Sequence, residues 1–123
     1  MLLSVGEKIH IVTRLLFEND VRRHFVGEVE AATESIARIR GYAFVFEFDS
    51  NMYRFVRRPE LRVRLVSLAD GNNVINIIPR EVDLEDLQYE DLQYDSSPGK
   101  TKHVVITDGK SFSLDVHEFS RKL

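Results

Sequence analysis

The stretch that most constrains the fold runs from Arg38 to Phe48 and reads RIRGYAFVFEF. Every second residue from Tyr42 to Phe48 is aromatic, so four rings would share one face of a β-strand. The other face would carry Ala43, Val45 and Glu47. Because each buried aromatic side chain removes roughly 150 Å² or more from water, we expect this strand at the centre of a sheet closed over a core. The pattern therefore predicts a structural role for the rings rather than a ligand site.

The chain has 123 residues and no cysteine. This length suits one domain whose core needs neither a disulfide nor a structural metal. No apolar run approaches the roughly 18 residues of a membrane span, and the first residues do not resemble a secretory signal. We therefore expect a cytoplasmic protein with no membrane partner.

Charge is unevenly distributed along the chain. The net charge of −3 disfavours indiscriminate binding of nucleic acid. Residues 1–68 carry 11 Lys/Arg against 9 Asp/Glu, whereas residues 69–123 carry 6 against 11. The first part is thus rich in arginine and the second is acidic.

Alternation of apolar and polar residues predicts five strands before residue 79. Gly27, inside the second of them, indicates a sharp bend, a bulge or a close backbone approach of the kind that small barrels need. Tyr53–Arg58 would continue or pair beside the aromatic strand until Pro59 interrupts the ladder. A helix starting near Val5 is the alternative for the first segment. The predicted strands are Lys8–Phe17, Arg22–Thr33, Arg38–Phe48, Leu61–Leu68 and Val74–Ile78.

The C-terminal third begins with an acidic segment in which EDLQY occurs twice, at 85–89 and 90–94. A period of five fits neither a helix nor a strand, so we assign a helical turn and linker here. Asp108-Gly109 predicts a type I′ turn between strands at Lys102–Thr107 and Lys110–Val116. The predicted fold is all-β: a small five-stranded SH3-like or Sm-like barrel over residues 1–79, with an acidic connector and a C-terminal hairpin over 80–123, within the same domain.

The strand order resembles that of the Sm-like (LSm, Hfq) small-barrel family from Lys8 to Ile78. The family has a glycine in its second strand beside alternating apolar residues, which FVGEV at 25–29 matches. Its second motif is a tight turn leading into a short strand of valine and isoleucine, which DGNNVINII at 70–78 follows. The family's Asp-x-x-x-Asn pattern is absent, and Asp70 stands where the family often has arginine.

The resemblance implies a ring-forming homo-oligomer whose loops bind single-stranded RNA. Carried over position by position, it indicates Thr33, Ser35 and Arg38 in one loop and Asn72 and Asn73 in another. Asn amides can read base edges, and arginine can stack on bases or pair with phosphate. The alternative for the two asparagines is ordinary hairpin-turn chemistry beside a glycine.

A cluster of arginines gives a second, independent indication of nucleic acid. Arg62 and Arg64 would share a strand face, and Arg54, Arg57 and Arg58 are mixed with aromatic residues, as is typical of nucleic-acid contacts. The alternative is a solvated edge strand, or ion pairs between subunits to the acidic segment. The complete predicted RNA site is Thr33, Ser35, Arg38, Arg62, Arg64, Asn72 and Asn73.

Catalysis has no candidate residues in this sequence. The four histidines, His10, His24, His103 and His117, lack metal-ligand spacing, and we expect them at the surface or with satisfied hydrogen bonds. There is no nucleophile elbow and no glycine-rich phosphate loop. We therefore expect no enzymatic activity, metal or cofactor. The alternative to RNA binding is a non-catalytic protein-interaction or assembly module, whose acidic repeat would dock a basic protein partner or a neighbouring subunit.

Overall fold

A computed structural model of the chain describes residues 2–13, 23–49, 52–92 and 103–116. These residues form nine strands and one short 3₁₀ turn, all strand pairs being antiparallel, which confirms the predicted all-β class. None of the helical structure in these ranges is long and apolar enough to cross a membrane. The chain divides into two compact units, Met1–Leu84 and Glu85–Leu123, which are described separately.

Unit 1 is built on one antiparallel sheet of six strands in the order β4-β3-β2-β1-β6, with β5 also paired to β3. The strand β3 has 14 residues, and its first half pairs with β5 while its second half pairs with β4. The bounds are β1 Lys8–Thr13, β2 Arg23–Ala32, β3 Ile36–Asp49, β4 Met52–Arg57, β5 Arg62–Ser67 and β6 Asn73–Ile78.

The strands β4 and β5 follow one another along the same edge of β3. The predicted pairing of Tyr53–Arg58 beside the aromatic strand is confirmed, since Met52–Arg57 pairs with Phe44–Asp49. The ladder stops at Pro59, which has no N–H to donate, and resumes at Arg62. The segment before the proline is therefore a strand of its own, β4, and the segment after it is β5. Unit 1 thus has six strands where the sequence predicted five.

The expected closed barrel is not observed. Closure would require a ladder between β5 and β6, because these strands lie at opposite ends of the sheet. The tight turn at 70–73 joins them, yet no ladder forms between Arg62–Ser67 and Asn73–Ile78. As far as the described strands go, the sheet of unit 1 therefore keeps two edges.

Two glycines face one another where β2 and β3 approach most closely. Gly27 is directly opposite Gly41. A Cβ atom on Gly41 would lie 1.9 Å from the Val26 carbonyl oxygen, and one on Gly27 would lie 2.2 Å from Cγ2 of Ile39. The close backbone approach predicted at Gly27 is confirmed, whereas its dependence on Gly41 was not foreseen.

The main hydrophobic core lies on the sheet face opposite the aromatic row. Of the described rings in the aromatic row, Phe44 is fully buried, and Tyr42 and Phe46 are half-buried. The expectation that the aromatic strand lies at the centre of the sheet is confirmed, since β3 pairs with β2, β4 and β5. The main cluster of buried aliphatic residues nevertheless lies on its other face. The core comprises Leu3, Ile9, Ile11, Phe25, Val29, Ala37, Ile39 and Ala43.

Two histidines, one on β1 and one on β2, are buried and do not lie at the surface, and His10 fits the other expectation, that of a satisfied hydrogen bond. His10 is 0 % exposed and His24 is 2 % exposed, with ring centroids 5.3 Å apart. Nδ1 of His10 lies 3.2 Å from Nδ2 of Asn76 on β6, so its hydrogen bond is satisfied inside the sheet. Burial lowers the pKa of His10 to about 4. The side chain of His103 and all of His117 lie outside the described residues.

We expect the stability of unit 1 to fall as the pH is lowered from about 6.5 to about 4. The folded pKa of His10 is below the unfolded value of 6.5, so the unfolded chain binds the extra proton. The contribution is complete above the unfolded pKa and lost progressively towards pH 4, by about 3 kcal/mol in total. Urea denaturation at a series of pH values measures it. The variant His10→Gln should flatten this pH dependence, and an unchanged slope would contradict the assignment.

Unit 2 contains a three-stranded sheet in the order β7-β8-β9, formed by Gln88–Leu92, His103–Thr107 and Ser113–Asp115. A 3₁₀ turn at Leu84–Asp86 precedes it. No strand was predicted at β7, where the first EDLQY copy places buried Leu87 and half-buried Tyr89 between exposed neighbours. That alternation was the overlooked signal, and it gives this copy a structural role. The end of the second copy lies outside the described residues.

The predicted two-residue turn at Asp108-Gly109 is wrong. Five residues separate the paired Thr107 and Ser113. Oδ1 of Asp108 accepts hydrogen bonds from the backbone N–H groups of residues 110, 111 and 112 at 2.9–3.0 Å, which organises a longer loop. These hydrogen bonds, of which the one from Phe112 has the largest effect, hold the pKa of Asp108 below its ordinary value.

Candidate functional site

Five arginines on or next to strands β2, β4 and β5 lie on one face of the sheet. This is the face that also carries the core. The strand registers place Arg62 opposite Gly41, Arg64 opposite Ile39 and Arg54 opposite Glu47. Residues directly opposite in an antiparallel pair point to the same side. The arginine cluster, as we call it, consists of Arg23, Arg54, Arg58, Arg62 and Arg64.

Arg64 is the best anchored member of the arginine cluster. Its guanidinium carbon lies 5.0 Å from the centroid of the Phe25 ring, within cation–π range. Partial burial, and then the neighbouring charges of Arg62 and Arg23, lower the pKa of Arg64. An anion bound here would relieve the repulsion among these cations.

Two glutamates belong to the same surface. Glu47 accepts a hydrogen bond from Arg58 at 2.8 Å, and Glu60 lies 4.0 Å from Arg62. Among the described side chains of this surface, five cations therefore face two carboxylates, in a chain whose net charge is −3. Guanidinium groups present planar forks of donors that match phosphate oxygens.

Arg38 does not join the arginine cluster, although the sequence placed it in the RNA site. It is opposite Leu65, on the other face of the sheet. Its Nε lies 3.5 Å from Glu30, which also pairs with Arg40 at 3.6 Å. The alternation of β3 therefore separates Arg38 from Arg62 and Arg64.

Arg57 also points away from the arginine cluster. Its guanidinium carbon lies 4.7 Å from the ring centroid of Tyr42 and 5.3 Å from that of Phe44. Its Nη2 donates a hydrogen bond to the Leu84 carbonyl at 2.5 Å. These contacts give Arg57 a structural role on the aromatic face.

Thr33 and Ser35 lie in the β2–β3 loop, away from the arginine cluster. The Thr33 hydroxyl accepts hydrogen bonds from the N–H groups of Ser35 and Ile36 at 3.2 and 3.1 Å, so it shapes the loop. Thr33 also borders a cavity of about 660 Å³ beside β6. Its walls are mostly aliphatic, with carboxylates from Glu7 and Glu34; the other lining residues are Leu2, Leu3, Leu68, Ile75 and Ile77.

Asn72 and Asn73 form the turn between β5 and β6. The N–H of Asn72 donates to Oδ1 of Asp70 at 2.9 Å. The Asn73 amide donates to the Ser67 carbonyl at 3.3 Å and accepts from the Thr13 hydroxyl at 3.1 Å. These contacts favour the turn alternative over a ligand role.

The seven residues of the predicted RNA site thus fall in separate places, and of them only Arg62 and Arg64 belong to the arginine cluster. Sequence reasoning overlooked Arg23 altogether. The sequence feature that could have identified Arg23 is the alternation along β2. Arg23, Phe25 and Gly27 are two residues apart and lie on the same face as the core. Within the described ranges, no group of three or more histidines or carboxylates is arranged to hold a metal ion.

Comparison with known proteins returned no matching family, no matching curated protein and no matching solved structure. The resemblance to Sm-like proteins therefore stays a prediction. Function must be inferred from the side chains themselves.

Proposed function

We propose that this chain is a non-catalytic RNA-binding module that holds single-stranded RNA against the arginine cluster. The observation that carries the proposal is five arginines with two described carboxylates on one sheet face, within a chain of net charge −3. The proposal moves the site from the loops indicated by the Sm-like resemblance to the face of the sheet.

Single-stranded RNA suits this surface better than a duplex. A guanidinium group can pair with a phosphate through two parallel hydrogen bonds, and its plane can also stack on an unstacked base. Arg62 and Arg64 are two residues apart on one strand, which separates their Cα atoms by about 7 Å. Such a row can follow an extended backbone with little dependence on sequence.

An Sm-like strand order in an open sheet, without closure of the barrel, is our proposal for the architecture of unit 1. Two observations support it: β1 lies between β2 and β6, and β2 carries the glycine at its closest approach to β3. The ring that the Sm-like resemblance implies is not part of this proposal, and the native mass of the protein tests for it.

The sharpest test of RNA binding compares Arg62→Glu with Arg40→Glu. The two arginine side chains are 52 % and 54 % exposed, and each lies near one glutamate, but they point to opposite faces of the sheet. Both substitutions lower the net charge by the same amount. We expect about tenfold weaker binding for Arg62→Glu, since a charge-assisted hydrogen bond is lost, and little change for Arg40→Glu.

Fluorescence anisotropy with a labelled oligouridine of about 12 nucleotides provides the measurement. The salt concentration should be about 50 mM, because phosphate contacts weaken steeply with ionic strength. Equal losses in both variants would show a general charge effect and would contradict a site at the arginine cluster.

The second candidate function is a non-catalytic assembly module. It is favoured by the exposed aliphatic residues along β5, which are unusual on the surface of a monomer. The two functions are compatible, because these residues and the arginine cluster lie on opposite faces of the same strand.

A further inference from the structure

The outer edge of β5 has backbone groups that point away from the sheet. Among the described residues, β5 forms a ladder with β3 alone. The N–H of Leu68 donates to the Ser35 carbonyl at 2.7 Å, and bonded pairs in an antiparallel ladder recur at every second residue. The N–H and C=O groups of Val63, Leu65 and Ser67 must therefore point outward.

The side chains along this edge are aliphatic and exposed. Val63 is 50 % exposed and Leu65 is 73 % exposed, and Ile36 beside them on β3 is 48 % exposed. Together with Ala31, Ile36 and Leu65 border a depression of about 250 Å³ on the same face. Natural edge strands usually carry charged side chains, proline or a bulge that prevents pairing. In β5 the two arginines both lie on the other face of the sheet, the strand contains no proline, and the face with Val63 and Leu65 is aliphatic.

We propose that β5 pairs with the β5 of a second copy of this chain. The two strands run antiparallel about a two-fold axis, with Leu65 of one copy opposite Leu65 of the other. The dimer extends the sheet across both copies, and each Leu65 contacts the aliphatic edge of the neighbouring copy. Such a two-fold contact is self-complementary and closed.

Charge and backbone pairing together select this register among the symmetric alternatives. Centring the pair on Arg64 would place two Arg64 side chains directly opposite each other, which is destabilising. Centring it on Val63 would place Arg62 opposite Arg64. Centring it on Val66 would place the outward-pointing Val63 opposite Ala69, which lies outside β5. Centring it on Leu65 places Arg64 opposite Val66 and pairs Val63, Leu65 and Ser67, the three outward-pointing residues of β5, with one another.

The dimer also enlarges the arginine cluster. In this register an odd-numbered residue of one copy lies opposite an odd-numbered residue of the other, and opposite residues point to the same side of the sheet. The arginine faces of both copies therefore lie on the same side of the extended sheet. The two arginine clusters then form one surface with twice the number of cations. Tighter binding of a longer oligonucleotide by the dimer rests on the proposed function, whereas the dimer itself does not.

Disulfide trapping tests the register directly, because the chain contains no cysteine of its own. In the variant Leu65→Cys, the two introduced thiols face each other across a bonded pair with Cα atoms about 5.5 Å apart, within disulfide range. In Val63→Cys, they are separated by about 13 Å along the strand direction. Val5→Cys, at a position 66 % exposed and outside the sheet, measures chance collisions.

The measurement is the yield of disulfide-linked dimer in a glutathione redox buffer, with no oligonucleotide present. We expect a yield for Leu65→Cys at least several-fold above both other variants, and a dimer mass by light scattering for the unsubstituted protein. A higher yield for Val63→Cys, equal yields in all three variants, a monomer, or a larger head-to-tail ring would each overturn the proposal. Because RNA is absent, failure here is distinguishable from failure of the proposed function.

Discussion

The variant Gly41→Ala is expected to lower the free energy of unfolding of unit 1 by about 3–5 kcal/mol, a large part of the stability of an ordinary domain. The added Cβ would lie 1.9 Å from the Val26 carbonyl oxygen and 2.6 Å from Cα of Gly27. These are backbone atoms, which cannot turn away as a flexible side chain could. The strands β2 and β3 would have to separate at the centre of the sheet.

Gly71→Ala is the matched control for this prediction. A Cβ at Gly71 would meet nothing within 4 Å, so we expect a change within about 0.5 kcal/mol. Denaturant unfolding followed by circular dichroism measures both variants. If Gly41→Ala were as stable as Gly71→Ala, the close approach of β2 and β3 would be wrong.

The double variant Arg62→Glu, Arg64→Glu is expected to abolish oligonucleotide binding at low salt, with a loss of about 100-fold or more. It removes the two neighbouring cations of β5 and places two anions within the arginine cluster. Arg64 also packs on Phe25, so circular dichroism must first show that the double variant is folded. Unchanged binding by the folded variant would exclude the arginine cluster as the site.

The salt dependence of binding gives an independent readout of the same surface. If all five arginines contact phosphates, log K should fall with log salt with a slope of about −3.5 for a single strand. Neutralising Arg62 and Arg64 to glutamine should make the slope shallower by about 1.4. An identical slope in the unsubstituted protein and the glutamine variant would show that these two side chains do not contact phosphate.

Local pattern was sufficient to predict most strands of unit 1. Alternation in RIRGYAFVFEF predicts β3, and the missing N–H of Pro59 predicts the break between β4 and β5. The alternation also predicts that Arg62 and Arg64 share a face, as the register requires. Local pattern failed at EDLQY, where the five-residue repeat concealed the strand alternation around Tyr89.

The candidate site was much less predictable than the strands. The loop residues indicated by the Sm-like resemblance have backbone contacts of their own, such as that of Asn73 to Ser67. The membership of Arg23 depends on β2 lying beside β3, a pairing between residues distant in sequence. No local pattern contains that information.

By itself, the sequence determined most of the extended segments of unit 1, the turns between them and which residues alternate on each strand, because those properties depend on neighbouring residues. Only the tertiary structure decided which face holds the core, that Gly27 meets Gly41, and that five arginines share one face of the sheet. These depend on strand register and on which strands are neighbours. Register is set by the packing of the whole sheet, in which a shift of one residue would turn every side chain to the other face.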